Sequence, residues 1–187
     1  VKLTNNAQKN SENGRNTRQT MIESVVLTKI DDVLRDPLYV ETNMKKGAAI
    51  RLNNKNGIRF YTTLDAAAFE GTITEKGTLI GPANLVGALE MDDVDAGYAV
   101  AVKYDSNSLW SDNQFVGSIA NIKDTNIARD FVARAYVLVD GVYYYSETQS
   151  VRSLAYVADA FMNDTEEFEA VDADTKALVE NWAKAND

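Results

Sequence analysis

The stretch "FVARAYVLVDGVYYYSE", residues 131–147, decides the fold class. Two runs rich in β-branched and aromatic residues, Phe131–Val139 and Val142–Glu147, flank the pair Asp140-Gly141. A type I′ turn needs positive φ at both central residues, and Asp-Gly meets that need, so the segment reads as a β-hairpin. Side chains alternate along a strand. Phe131, Ala133, Ala135 and Val137 therefore share one face, and Val132, Arg134, Tyr136 and Leu138 share the other. In the returning strand Tyr143 and Tyr145 fall on one face and Tyr144 on the opposite one.

Working toward the N-terminus, the same period of two predicts strands at Ala48–Leu52, Gly57–Thr63, Gly77–Ile80, Tyr98–Val102 and Phe115–Ile122. "NNKNG", 53–57, is a turn cluster joining the first two of these, and Pro82 in "PANLV" opens a short helix. Before residue 47 the pattern is different. Residues 1–19 are polar and Asn-rich and read as a flexible arm. Met21, Ile22, Val25, Val26, Ile30, Val33 and Leu34 then form an amphipathic helix stripe, with Thr20 and Glu23 as a capping box and Pro37 as the stop.

Toward the C-terminus the period returns to that of a helix. Val151, Leu154, Ala155, Ala158, Phe161 and Met162 make an i, i+3, i+4 stripe with Ser150 as cap. A second helix is expected from about Asp174 to Ala185, with Leu178 and Trp182 turned inward and "NDTEEFEAVDAD", 163–174, as a solvated acidic loop between the two. The chain thus divides into an N-terminal arm and helix, 1–45, and a β module with C-terminal helices, 46–187. The expected fold is α+β and mainly β: an Ig-like antiparallel β-sandwich with an N-terminal helix and C-terminal helices packed on it.

With 187 residues, 45% of them hydrophobic and 25% charged, the chain has material for a sizeable core. Its net charge of −9 repels phosphate, so nucleic acid is not an expected partner. No apolar run approaches the roughly 18–20 residues of a membrane span, and membrane insertion is not expected either. His and Cys are both absent. That removes the usual general base, the Ser-His and Cys-His pairs, disulfides and Cys-type zinc sites. No cofactor is expected: neither G-x-x-x-x-G-K-[ST] nor G-x-G-x-x-G occurs. The first residue is Val1 rather than Met, which leads us to expect a processed or excised piece, with any signal peptide or anchor lying outside it.

Few residues invite a chemical role. Arg59 and Arg134 interrupt strand-like runs, and such a guanidinium either binds a carboxylate or sugar or holds the structure together by pairing. The structural role is the expectation for both. Tyr143, Tyr145 and the loop residue Trp110 are candidate contacts for a glycan or a protein, since an exposed aromatic offers large area with a polar tip. Two carboxylates about 5–10 Å apart would suffice for a glycosidase, and "LEMDDVDAGY", 89–98, and the 163–174 stretch are the places to look for them. Asp92, Asp93 and Asp95 form a weak Ca²⁺ candidate without EF-hand spacing.

Taken in order, "GAAIRL…NGIRFYTTL", "KGTLIGPANLV", "FVGSIANI", "ARDFVARAYVLVDGVYYYSET" and "SVRSLAYVA" resemble an accessory module that recurs in large secreted and wall-attached proteins of Gram-positive, often gut-dwelling, bacteria. The resemblance covers the chain from about Gly47 to the C-terminal helix and implies a non-catalytic, extracellular structural or adhesion module at the cell surface. Arg59 and Arg134 fall on that module's recurring strand pattern. Residues 1–45 lie outside it, which keeps open a structural subunit of a phage particle or filament that oligomerises through the arm. A glycoside hydrolase is the remaining alternative.

Overall fold

The computed structural model describes residues 38–40, 49–52, 56–105 and 113–186, all within the unit Pro37–Asp187. The arm at 1–19, the helix expected over 21–34 and Trp110 lie outside the described residues.

Two antiparallel sheets carry the chain. In the four-stranded sheet β3 (Gly57–Leu64) is central. Along one edge it pairs with β1 (Leu38–Val40) and β2 (Ile50–Arg51), and along the other with β6 (Gln114–Ala120). The five-stranded sheet runs β5 (Val100–Lys103), β4 (Ile73–Pro82), β7 (Phe131–Val139), after which β8 (Val142–Tyr145) and β9 (Ser150–Arg152) share the far edge of β7. The 140–141 turn has φ of 48° at Asp140 and 85° at Gly141, the positive pair that a type I′ hairpin requires.

Both sheets contribute to one core. Ile58, Phe60 and Leu64 of β3 cluster with Phe115 of β6, Ile80 of β4 and the Phe131, Ala133, Ala135, Val137 face of β7. Thr78 of β4 lies so close to β6 that a Cβ on Gly117 would collide with its side chain, so glycine there is what lets the strands approach. The same cluster takes Leu154, Ala155, Val157, Ala158 and Phe161 from α2 (Leu154–Met162) and Val179, Trp182 and Ala183 from α4 (Ala173–Ala183). The opposite face of β7 belongs to a second, smaller cluster: Leu79, Val132 and Tyr136, covered by Leu89 and Ala99 from the connection between β4 and β5.

Several boundaries differ from the sequence expectation. Ser150 and Val151 do not start the helix: they are in β9, paired with Ala133 and Val132, and Val151 is exposed. The helix begins at Leu154 because Ser153, not Ser150, caps it, its hydroxyl accepting the Tyr156 amide at 3.0 Å. "PANLV" is not helical, since Pro82 ends β4 opposite Phe131 and Leu85 closes a turn onto the Pro82 carbonyl. β5 starts at Val100, because the Tyr98 and Ala99 amides are spent on the Asp93 carbonyl at 2.9 and 3.1 Å. The acidic loop contains α3 (Thr165–Ala170), whose Phe168 ring meets Phe161 edge-on at 5.8 Å. In α4 the buried phase is Val179, Trp182, Ala183, and Leu178 faces outward at 47% exposure. β1 was not expected at all: it lies before the 45/46 division, yet Leu38 is buried in the main core. No helix among the described residues is long and apolar enough to cross a membrane.

Candidate functional site

The face of the five-stranded sheet turned away from the main core brings together the groups of interest. Cross-strand register places Leu79 beside Arg134 and Tyr136 between Gly77 and Tyr145, and it sets Leu138 beside Tyr143. Lys103 lies opposite Gly77 on β5. This face has two halves, one under the 83–99 connection and one open beside the hairpin.

Arg134 organises the covered half. Its Nε donates to the Ser146 carbonyl at 2.7 Å and its Nη1 to the Leu89 carbonyl at 3.0 Å, while the guanidinium carbon lies 5.0 Å from the Tyr145 ring centroid. Glu90 is a looser partner at 3.7 Å. The connection is held at two further points: the Leu89 amide donates to Gln149 Oε1, and the Met91 amide to Tyr145 Oη, both at 3.0 Å. Leu89, Glu90 and Met91 are thereby tied to β7, β8 and the β8–β9 turn, although none of the three is in a strand. Tyr145 is thus engaged at both its ring and its hydroxyl.

The open half is a network of polar contacts around one exposed ring. Tyr136, fully buried, lies across Gly77 so closely that a Cβ there would sit 2.8 Å from its ring and hydroxyl. Its hydroxyl donates to Glu75 Oε1 at 2.9 Å, and Glu75 Oε2 pairs with Lys103 Nζ at 2.6 Å. Burial first, and then the bond to Glu75, push the Tyr136 phenol well above its ordinary pKa, with Tyr143 adding a smaller push. The Lys103 hydrogen bond holds the Glu75 carboxyl below its usual range, so Glu75 stays ionised and able to accept. Tyr143, 36% exposed, rests edge-on against Tyr136 at 5.9 Å and beside Tyr145 at 6.3 Å, nearly parallel to it.

On the other side of the β4–β5 edge, where Leu64, Ile73 and Tyr104 pack with the main core, is a cleft of about 520 Å³ whose lining includes Glu75 and Lys103. It runs between the end of β3 and the β4–β5 edge, past Leu64, Ile73, Lys76 and Tyr104. Lys76 Nζ stands 4.5 Å over the Tyr104 ring.

The other sequence candidates are elsewhere. Arg59 is on β3, its guanidinium beside the Tyr61 phenol. Burial raises the Tyr61 pKa, and the neighbouring Arg59 charge and hydrogen bond oppose that rise. Its backbone carbonyl accepts from Arg152 Nη1 at 3.4 Å. Arg152, 2% exposed and 5.8 Å from the Phe60 ring, is the buried arginine that strand periodicity passed over, because its segment was read as helix. Asp92, Asp93 and Asp95 are on α1 (Met91–Asp95), where Asp93 accepts the Glu90 amide in a capping box. No three carboxylates among the described residues gather to hold a metal ion.

Glu75, Lys103 and Gln149 are residues of this face that sequence reasoning missed. For Glu75 and Lys103 the signal pointing to them is cross-strand register, which requires the pairing to be known, and Gln149, in the β8–β9 turn, is reached only through its bond to Leu89. Comparison of the chain with known protein families finds no match, and comparison with curated proteins finds none either.

Proposed function

We propose that the chain is a non-enzymatic, extracellular adhesion module of a bacterial surface protein, folded as an Ig-like β-sandwich with the C-terminal helices packed on it. The observation that carries this reading is the fixed presentation of Tyr143. Its ring is exposed but flanked by Tyr136 and Tyr145, which are themselves locked by Glu75, Met91 and Arg134. A contact residue held this way loses little conformational freedom on binding, so more of its contact energy appears as affinity. The resemblance to accessory modules of wall-attached Gram-positive proteins supports the same setting.

Three carboxylates of the two stretches considered for glycoside hydrolysis serve as helix caps. Glu90 and Asp93 cap α1, and Asp172 caps α4. Retention of the full, fluorescently labelled chain on intact Gram-positive and host epithelial cells tests the proposal. Tyr143→Ala should lower retention, and Tyr156→Ala, an exposed tyrosine on α2, should not. Equal retention of parent and Tyr143→Ala would remove its support.

A further inference from the structure

We infer that the free edge of β8 takes on a strand from a second copy of this chain, forming an antiparallel dimer with Tyr144 on its two-fold axis. Backbone groups of β8 carry this dimer, so it goes beyond the adhesion reading and does not depend on it. Among the described residues no strand continues the five-stranded sheet beyond β8. The direction of its peptide groups follows from the register. The Ser146 amide donates to the Ala135 carbonyl at 3.0 Å, and Tyr144 and Val142 stand opposite Val137 and Val139. An antiparallel ladder bonds to a given neighbour at every second residue. Val142, Tyr144 and Ser146 therefore turn their peptide groups to β7, and Tyr143 and Tyr145 turn theirs outward.

Folded proteins guard such edges with Lys, Pro or a bulge, because open backbone groups invite another chain. At the other edge of this sheet β5 ends on Lys103. β8 reads Val-Tyr-Tyr-Tyr, with no charge and no proline, and Val142, Tyr143 and Tyr144 are all exposed. A second copy suits this edge better than an unrelated strand, because the tyrosines are symmetric about Tyr144. With Tyr144 on the axis, Tyr143 of each copy stands opposite Tyr145 of the other, and each such pair exchanges two hydrogen bonds. Tyr144 meets its own counterpart on the opposite face, so the central pairs are aromatic on aromatic, a favoured kind in sheets. The same register sets Glu147 opposite Gly141 and Asp140 opposite Thr148, so no like charges face each other. A four-residue edge buries well below the roughly 1,200 Å² of a stable interface, and each copy carries a net charge of −9. The dimer is therefore weak, and salt strengthens it by screening the mutual repulsion.

Sedimentation and amide hydrogen exchange of the full chain, from micromolar to millimolar concentration, test this pairing. The chain should pass from monomer to dimer, and the Tyr143 and Tyr145 amides should exchange more slowly as it does. The chain has no Cys, so a single introduced one reports the contact directly. On the axis, residue 144 faces its counterpart at a non-hydrogen-bonded site, where Cβ atoms come within about 4.5–5.5 Å, near the reach of a disulfide. Tyr144→Cys should therefore oxidise to a linked dimer at least about tenfold faster than Tyr156→Cys, a comparably open position on α2. Tyr144→Lys sets two ammonium groups face to face and should abolish the dimer, with the melting temperature showing that the fold is intact. Faster linkage of Val142→Cys than of Tyr144→Cys would mean another register and overturn the pairing about Tyr144. A dimer that a folded Tyr144→Lys leaves intact would place the contact elsewhere and overturn it as well. A chain that stays monomeric at millimolar concentration overturns the second copy; if the Tyr143 and Tyr145 amides then slow only on intact cells, the edge takes a strand of another protein.

Discussion

Replacing Arg134 with methionine tests whether this arginine is the tie that holds the 83–99 connection on the sheet. The change removes two hydrogen bonds from a charged donor, to Ser146 and Leu89. Bonds to charged groups contribute about 1.5–3 kcal/mol each, and both carbonyls then need another partner. Two effects reduce the loss. The side chain is 15% exposed, so water can reach part of the site, and methionine keeps a long apolar stem against Tyr145. The Glu90 pair, at 3.7 Å with Glu90 55% exposed, adds little. We expect a net destabilisation of about 2–4 kcal/mol by urea unfolding. Faster hydrogen exchange at the Leu89 and Met91 amides should accompany it, because both depend on the connection staying down. Arg134→Lys keeps the charge without the fork and should lose about half as much. An unfolding free energy within about 0.5 kcal/mol of the parent, with both amides unchanged, would refute this reasoning.

Gly117→Ala should cost about 1–3 kcal/mol by overpacking against Thr78, measured by thermal unfolding; an unchanged melting temperature would mean that β6 and β4 are not closely packed there. A chain ending at Gln149 loses β9 and α2–α4 and with them Leu154, Phe161 and Trp182 of the main core; it should aggregate or unfold, and a soluble product melting like the parent would contradict the shared core. Asp172 accepts the Thr175 amide at 2.8 Å, which holds its carboxyl below the ordinary value of 3.8. A depressed folded pKa adds stability above the unfolded value that disappears as pH falls through the folded one. Asp172→Ala should therefore be less stable than the parent at neutral pH, with a gap that closes below pH 3.8; a gap that persists in acid would show that the carboxylate charge is not involved.

Much of the sheet was legible because period-two alternation and a strong turn pair coincide in 131–147. The two faces assigned to β7 there are the two sides that enter the larger and the smaller cluster. The end of that hairpin was not legible. Val151 sits at helical spacing from Leu154 and Ala155, and only pairing with Val132 shows it to be in a strand. The same ambiguity hid Arg152. In α4, Leu178 and Val179 are adjacent apolar residues, and a one-residue change of phase exchanges which of them is buried. For the candidate face, the two tyrosines could be read from alternation, whereas Glu75 and Lys103 become neighbours only because β4 pairs with β5, and Tyr136 reaches Glu75 only because β4 pairs with β7. The 83–99 connection was invisible for a similar reason: its anchors at Arg134, Tyr145 and Gln149 lie 45, 54 and 60 residues away in sequence.

Hydroxyl-radical footprinting of the full chain, free and bound to intact cells, tests the role of the tyrosine face most directly. Tyr143 is exposed in the free chain and should be protected several-fold on binding, while Tyr156, still more open on α2, should oxidise at an unchanged rate. Protection at Tyr156 or elsewhere with Tyr143 unaffected would place the contact on another surface and contradict the proposed role of the Tyr143 face.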